Sequence, residues 1–570
     1  MILRLLFLGV LCGWLMPLHL PPWVSWHSES IVFAVVILAS GVVLHKVKVR
    51  GNSKPRVDFP VVVWPVIALF LVVIVQTLQG TISSSGSGVV ISIYLVLSIF
   101  SLWLGFNSAY QQSFLERVGT QRDDGVQQLA GFVLTGGVLS VLIAIVQALD
   151  AWDASSWIVS TFQYRRPGGN MGQPNHLATL SLLAIASAVF LFETGRMSQW
   201  FAAATSILLL MGLALSESRA GLVSFSLLVA WWLVKRKATH SRIPGHAVSA
   251  GVVVYALSLL VWPLLIQAVS EGGLTSSNTP SIDVAPGSRL LVWPQLLHAV
   301  EIRPWFGWGL GEVAKAHNAV LHDYANGEPF TYAHNILLDL AIGIGIPLTL
   351  SLIAVLTVWI VRRVKFATTT STWYCVAALI PIAVHSLFEF PFAYAYFLVP
   401  VFFLIGSLEA QVGKTNVIAL PLWVVRSVWA IFSIISIWSA IEYIDIEEDY
   451  RVARFEALRL GRTPDNYASP SINVLNQLNI MLKATRVVPS PGMPSETIEV
   501  LRVATLHYPW TAIQNRYALA LALNGNPQEA IRQLKVMKAM HGEATYAKIK
   551  TNWIDLGVTK FAQLQGMPIP

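Results

Sequence analysis

Four polar stretches interrupt the apolar runs of the chain, and each carries residue types suited to neutralising an anion or moving a proton. The first is Arg165-Arg166-Pro167-Gly168-Gly169-Asn170-Met171-Gly172-Gln173-Pro174-Asn175-His176, a glycine-rich turn that runs into an apolar segment. Such a turn presents backbone N–H groups and a helix N-terminus to an anion. The second is Ser216-Glu217-Ser218-Arg219-Ala220-Gly221, a short hairpin between two apolar runs. The third is the loop from about Ser270 to Asn335, with Arg289, the segment Arg303 to Gly311, and Phe330-Thr331-Tyr332-Ala333-His334-Asn335. The fourth is His385-Ser386-Leu387-Phe388-Glu389-Phe390-Pro391-Phe392-Ala393-Tyr394-Ala395-Tyr396.

The chemistry these types support is specific. Arginine offers a planar set of donors that matches phosphate. Neutral histidine takes a proton from a hydroxyl near pH 7, its ordinary pKa being about 6.5. Each stretch also has a plainer reading: an interfacial turn, a snorkelling arginine, a hydrogen-bonded histidine, or a capping turn with belt aromatics. Ionisable groups at the ends of apolar runs are costly, and so many at run ends argue for a lined cavity. Gly307-x-Gly309-x-Gly311 hints at a nucleotide loop, but no strand precedes it, so the glycines read as turns beside Trp305 and Trp308. No set of His, Cys and carboxylates has metal-ligand spacing; His317 and His322 are not the i, i+4 pair of a helical zinc site.

The elements that position these stretches are membrane spans. The chain has 570 residues, 55% hydrophobic and only 12% charged, too little charge to cover a soluble protein of this size. The net charge of +8 sits mostly in short loops, the pattern of topology signals rather than of nucleic-acid binding. The two cysteines, Cys12 and Cys375, lie in apolar runs and exclude a cysteine-rich metal cluster. Met1 to Leu20 is expected to be a retained first helix, since no clear cleavage site follows it. Further runs lie near 30–45, 60–79, 88–106, 128–149, 175–193, 199–216, 219–234, 247–268, 335–361, 371–388, 391–408 and 418–440. With the first helix they make about thirteen spans.

Basic residues then set the orientation. Lys46, Lys48, Arg50, Lys54 and Arg56 form one basic loop; Lys235, Arg236, Lys237 and Arg242 form another; Arg362, Arg363 and Lys365 form a third. All three fall on one side if the N-terminus is cytoplasmic, which puts the long loop, the other polar stretches and the C-terminus outside. The expected fold is therefore all-α: a polytopic transmembrane bundle over 1–440, with a large outer loop at 270–334, followed by a soluble helical domain over 441–570. Within that tail, Tyr517 to Leu534 reads as helix, Gly-containing turn and helix, like one tetratricopeptide unit. One such unit cannot bury its own face, so other tail helices are expected to pack on it.

Arg166-Pro167-x-Gly169-x-x-Gly172-Gln173-Pro174-Asn175-His176-Leu177-Ala178 resembles the signature of the bacterial O-linked oligosaccharyltransferases of the PglL type. Ser218-Arg219-Ala220-Gly221, Arg289 with Pro304-x-x-Gly307-x-Gly309, and Ala333-His334-Asn335 resemble the wider superfamily of O-antigen ligases and O-antigen polymerases. His385-Ser-x-x-Glu389-x-Pro391 and the helical tail again resemble the PglL branch, with Phe390 where that branch often carries tyrosine. The resemblance implies en bloc transfer of a glycan from undecaprenyl pyrophosphate to Ser or Thr of an acceptor protein, commonly a type IV pilin. It places the enzyme in the bacterial inner membrane, among membrane lipids, with its active site facing the periplasm.

His334 is then expected to be the general base, with Arg219 and Arg289 neutralising the leaving pyrophosphate. Arg166, Gln173, Asn175, His176, Asn335, His385, Glu389 and Tyr394 would bind substrate. Any role for a tyrosine hydroxyl at position 390 moves to Tyr394 or Tyr396. No cofactor or metal is expected, because converging arginines can balance the pyrophosphate, and no nucleic acid. Close alternatives are ligation of O-antigen to lipid A core and polymerisation of O-antigen units. A transporter of lipid-linked glycan is disfavoured, because the polar groups gather at one surface rather than at the midplane.

Overall fold

The computed structural model describes residues 1–47, 55–116, 125–151, 157–159, 166–269, 287–412 and 416–570. Arg165 and the start of the long loop lie outside the described residues. In chain order the helices begin with α1 (Ile2–Leu15), α2 (Trp26–His45), α3 (Trp64–Leu78), α4 (Ser85–Glu116), α5 (Gly125–Ala148), α6 (Pro174–Glu193), α7 (Gln199–Leu215), α8 (Arg219–Lys235), α9 (Gly245–Val269) and α10 (Ser288–Ile302). They continue with α11 (Val313–Val320), α12 (Ile336–Ile344), α13 (Ile346–Phe366), α14 (Thr370–Ser386), α15 (Ala395–Gln411), α16 (Leu422–Leu458), α17 (Asn476–Arg486), α18 (Ser495–His507), α19 (Thr511–Leu523), α20 (Pro527–His541) and α21 (Glu543–Thr559). The helical expectation holds with one exception. β1 (Arg56–Pro60) pairs antiparallel with β2 (Val417–Pro421), Arg56 opposite Pro421 and Pro60 opposite Val417.

Among the described residues, eight helices are long and apolar enough to cross a membrane, and three shorter apolar helices accompany them, against the about thirteen runs read from hydropathy. One difference has a clear cause. The run near 335–361 is two helices, because the chain breaks at Gly345, where φ is +81°. A Cβ there would overlap the carbonyl oxygen of Trp305, so only glycine lets the two backbones pass.

The contacts divide the chain into two compact units. One comprises Met1–Ile67, Tyr94–Val284 and Val355–Ser433. Its centre is α6, the most enclosed of the candidate spans, which packs on α5, α7, α8 and α14. By contrast α9 and α13 carry rows of exposed apolar side chains, such as Leu260, Leu264, Val358 and Val361, as a lipid-facing helix does. Where α4 crosses α15 the backbones touch: a Cβ on Gly105 would overlap the carbonyl oxygen of Phe403, and one on Gly406 would overlap that of Leu102. Small residues at such crossings give the close van der Waals contact that holds helices together in lipid.

The ends of this unit differ in character. At one end the Glu193 carboxylate, closing α6, accepts from Ser241 Oγ and from the Arg242 backbone N–H. Lys235 Nζ, closing α8, donates to Lys365 O at 3.4 Å, so two of the basic loops meet there. Arg363, from the same basic loop as Lys365, gives a bidentate pair of bonds to buried Glu409, which also accepts from Trp359 Nε1. The N-termini of α6 and α8 lie at the other end, about 30 Å away at 1.5 Å per residue.

The second unit comprises Ala68–Ile93, Ala285–Ala354 and Ile434–Pro570. Much of the stretch expected as a loop is a folded insertion with its own core, in which Val292, Leu296, Trp308, Val313, Phe330 and Leu338 are buried together. The insertion also packs on α20: Leu321 lies buried with Val536, Ala539 and Met540, and Arg532 donates to Asn318 O at 3.0 Å. The helix–turn–helix expected at 517–534 is present as α19 and α20, joined through Gly525 at φ +84°. α18 and α21 pack on its two sides. Asp449 is buried against Arg486 at 2.8 Å, which ties α16 to α17.

His317, in α11, is fully buried and bonded to Gln295 Oε1 at 2.8 Å. Desolvation holds its pKa down, to about 4 from 6.5. The folded state therefore keeps this imidazole neutral where the unfolded chain takes up a proton. Its contribution to stability is complete above pH 6.5 and is lost as pH falls toward about 4, by about 3 kcal/mol in total. Melting of the purified protein in detergent between pH 7 and pH 4.5 should show this loss, and His317→Gln should flatten it.

Candidate functional site

In the first unit the residues that start α6 are committed to local structure before they meet any ligand. Gln173 is extended (φ −137°, ψ 117°), as the residue before a proline must be, and Pro174 opens the helix. The Gln173 Oε1 atom accepts from the backbone N–H groups of Asn175 and His176, so the side chain acts as the N-cap. Behind it the glycine turn folds on itself. A Cβ on Gly168 would overlap the backbone nitrogen of Gln173, and Gly172 sits at φ +68°.

That turn is stapled by residues the sequence reading did not single out as ligands. Asn170 is buried; its Nδ2 donates to Leu15 O and Trp157 O, both at 2.9 Å, and its own carbonyl bonds His19 Nε2 at 2.7 Å. Gln147 at the end of α5 accepts from Gly169 N at 2.9 Å and donates to Gly169 O at 3.1 Å. The turn is therefore locked to the ends of α1 and α5. A polar Gln in the last turn of an apolar helix was the available signal.

Two predicted residues, Asn175 and Glu389, converge with Ser218 at the start of α6. Asn175 Nδ2 donates to Glu389 Oε1 at 3.2 Å, while Asn175 Oδ1 accepts from Ser218 Oγ at 2.7 Å. Ser218 in turn caps α8 by accepting from Gly221 N at 3.0 Å. One amide thus joins α6, the α7–α8 hairpin and the α14–α15 turn. Each of its functional groups makes one protein contact, so Asn175 holds the site together and keeps one N–H and one lone pair beyond these two bonds. Arg219 follows Ser218 at the first position of α8 and is exposed. Arg166 donates through Nε to Ser216 O at 2.8 Å, which brings a second guanidinium to the same hairpin.

His176 and His385 are buried beneath this surface. His176 Nδ1 bonds Tyr396 OH at 3.2 Å, and its ring lies edge-on to Tyr394 at 4.6 Å and to Phe397 at 5.2 Å. His385 Nδ1 bonds Thr179 Oγ1 at 2.7 Å. Phe390 stacks on Tyr394 with ring centres 6.1 Å apart, and Tyr396 is the tyrosine whose hydroxyl reaches His176. Glu29 was missed by the sequence reading. It is a buried acid in α2 that accepts from Tyr94 OH at 2.9 Å and from Ala395 N at 2.7 Å, and so caps α15. An acid near the start of an apolar run was the sign.

The second unit holds the other predicted residues. His334 has φ +54°, a left-handed conformation that few non-glycine residues adopt, and its ring lies 4.7 Å from that of Phe330. Asn335 caps α12 by accepting from Leu337 N at 2.9 Å and Leu338 N at 3.2 Å. Trp293 Nε1 donates to Ala333 O at 2.8 Å. Arg289 lies four residues, about one turn, before Trp293 in α10. The glycines at 307, 309 and 311 serve packing: Trp308 N and Gly309 N donate to Ile342 O and Gly343 O, at 2.7 and 3.1 Å. Among the described residues, no three His, Cys, Asp or Glu side chains gather as a site for a metal ion.

The geometry can be set beside known proteins. Residues 167–192 match the family model described as Protein glycosylation ligase, 204–353 that of O-Antigen ligase, and 373–553 that of Virulence factor membrane-bound polymerase, C-terminal. The first match covers the turn and helix that carry Gln173, Asn175 and His176; the second covers Arg219, Arg289 and His334. A general O-oligosaccharyltransferase of Acinetobacter baylyi is 26% identical over 559 residues, 95% of this chain and 92% of the relative. A ComP-specific O-oligosaccharyltransferase of the same organism is 29% identical over 330 residues, 57% of each chain.

The bridge through Asn175 makes a direct prediction. Asn175→Ala should lower the melting temperature of the detergent-purified protein, by the equivalent of about 1–3 kcal/mol for buried groups that lose a partner. Asn175→Asp should cost more at pH 7, because it sets a second carboxylate against Glu389.

Proposed function

We propose that this chain, an O-oligosaccharyltransferase of the PglL type, moves a preassembled glycan from undecaprenyl pyrophosphate to a Ser or Thr hydroxyl of a type IV pilin at the periplasmic face of the inner membrane. The observation that carries the catalytic part of this reading is the conformation of His334. A non-glycine residue at φ +54° costs free energy, and such strain persists where the surroundings over-determine it, most often at functional sites.

In the proposed reaction the acceptor oxygen attacks the anomeric carbon and inverts it. The bond from that carbon to the pyrophosphate oxygen breaks, and its electron pair leaves with the lipid pyrophosphate. The hydroxyl proton passes to the His334 imidazole. The leaving group is already stable as an anion, so it needs positive charge more than an acid. Arg219 and Arg289 supply that charge, with Arg166 in support. The N-termini of α6 and α8, which lie at one end of their unit, add partial positive charge of the same sign. Burial of His176 among aromatic rings suits it to shaping the wall under this surface. The separation of that end from the basic loops, by about the thickness of a hydrocarbon layer, supports an outward-facing site.

The test is co-expression with a candidate pilin in a glycan-producing bacterium that lacks its own ligase, read by intact mass spectrometry of the pilin. Wild type should add a glycan-sized mass. His334→Ala should abolish the gain, and Arg219→Ala should cut transfer by about 100-fold or more, with Arg219→Lys in between because lysine lacks the planar fork. Glycan on lipid A core, or longer glycan on its lipid carrier, with none on protein would assign the chain to ligation or polymerisation instead. In membranes, transfer should survive chelation of divalent ions; loss that added Mg2+ or Mn2+ restores would refute a purely arginine-based balance of charge.

A further inference from the structure

Asp339 is a second acid that the sequence reading passed over, in the middle of the apolar run Ile336-Leu337-Leu338-Asp339-Leu340-Ala341. A carboxylate there is costly unless something specific offsets it. Its Oδ1 atom accepts from the backbone N–H of Ala333 at 3.1 Å, while its Oδ2 atom is buried and has no hydrogen-bond partner among the described residues. Its own backbone N–H donates to Asn335 O at 2.8 Å in the first turn of α12. The Ala333 residue is fully buried and held at both ends, its N–H by Asp339 and its C=O by Trp293 Nε1 at 2.8 Å. His334 is the next residue, and Asn335 beyond it is committed to capping α12.

We infer that Asp339 is a positioning residue: with Trp293 it clamps the Ala333 peptide, holds His334 in its left-handed conformation, and so sets where the imidazole stands relative to Arg289 on α10. This rests on the reading of His334 as the base. The logic is geometric. A residue at positive φ relaxes to a lower-energy region unless its neighbours forbid it. The cap on the C-terminal side fixes Asn335, and the two bonds to Ala333 hold the N-terminal side. Trp293 lies one turn from Arg289, so the same clamp ties the histidine loop to the arginine's helix. The Asp339 carboxylate is also bonded by the backbone N–H of Asn335, but capping of α12 by itself does not explain it: Asn335 already takes the N–H groups of Leu337 and Leu338, whereas Asp339 reaches on past the cap to Ala333, outside the helix.

The test uses the full-length protein in nanodiscs, lipid-linked glycan extracted from the producing strain, and a purified candidate pilin, with Asp339→Ala and Asp339→Asn compared. Asparagine keeps an acceptor for the Ala333 N–H and replaces the unpartnered oxygen. It should retain kcat within about 5-fold. Alanine should lower kcat by about 10- to 100-fold, as loss of near-attack geometry does, with KM for the pilin and the glycan donor little changed. Hydrogen exchange supplies a readout that needs no activity: the Ala333 amide should exchange faster in Asp339→Ala and stay protected in Asp339→Asn. Unchanged exchange at Ala333 and unchanged kcat in Asp339→Ala would overturn the clamp. A kcat lost equally in both variants would overturn the positioning role in favour of a role for the carboxylate's charge or proton. His334→Ala run alongside separates the two readings. If it transfers normally the base assignment fails, and the exchange data still decide whether the clamp exists.

Discussion

The side-chain amide of Asn175 is the contact on which the polar end of the first unit depends. It donates to Glu389 and accepts from Ser218, and in doing so joins three helix ends that are far apart in sequence. The reason such a contact matters is the medium. In an apolar surround a helix start has unpaired N–H groups, and a buried carboxylate has no water to turn to. Each is satisfied here by a side chain: Gln173 at α6, Ser218 at α8, Glu29 at α15, and Asn175 for Glu389. The same residues that satisfy the backbone also bring Arg166 and Arg219 to one hairpin.

That arrangement has a direction. α6 begins in the polar cluster and ends at Glu193, beside the loop that carries Arg242. α8 begins at Arg219 and ends at Lys235, beside Lys365. Two neighbouring helices therefore run from the polar cluster to basic loops, over a length that matches the hydrocarbon thickness of a bilayer.

The second unit shows a different economy. The insertion between α9 and α12 is polar enough to read as a loop, yet it buries Trp308, Phe330 and Leu338 in a core of its own and rests Leu321 on α20. Glycines at 307 and 345 let its backbone cross that of α12 at distances no side chain would allow. A rigid insertion is what permits a strained His334. On a free loop the residue would relax, and the geometry that makes it a candidate base would be lost.

Composition and local spacing were enough to determine a helical, membrane-spanning chain, the polar stretches at run ends, and the helix–turn–helix at 517–534 now seen as α19 and α20. Hydrophobicity and turn chemistry act over a few residues and are legible without coordinates. The family could be read too, because Arg166 to Ala178 is a contiguous motif whose residues must sit together to form one turn and one cap. Only the tertiary structure decided which polar atoms are spent on protein. Asn175, expected to bind substrate, also bonds Glu389 and Ser218, and Gln173 turns its oxygen to its own helix. It also decided the partners from distant stretches: Asn170 for Leu15, Glu29 for Ala395, Trp293 for Ala333. Hydrogen-bond partners tens or hundreds of residues apart leave no periodic trace in a single chain, because any of several donors could satisfy a buried acceptor until the fold selects one.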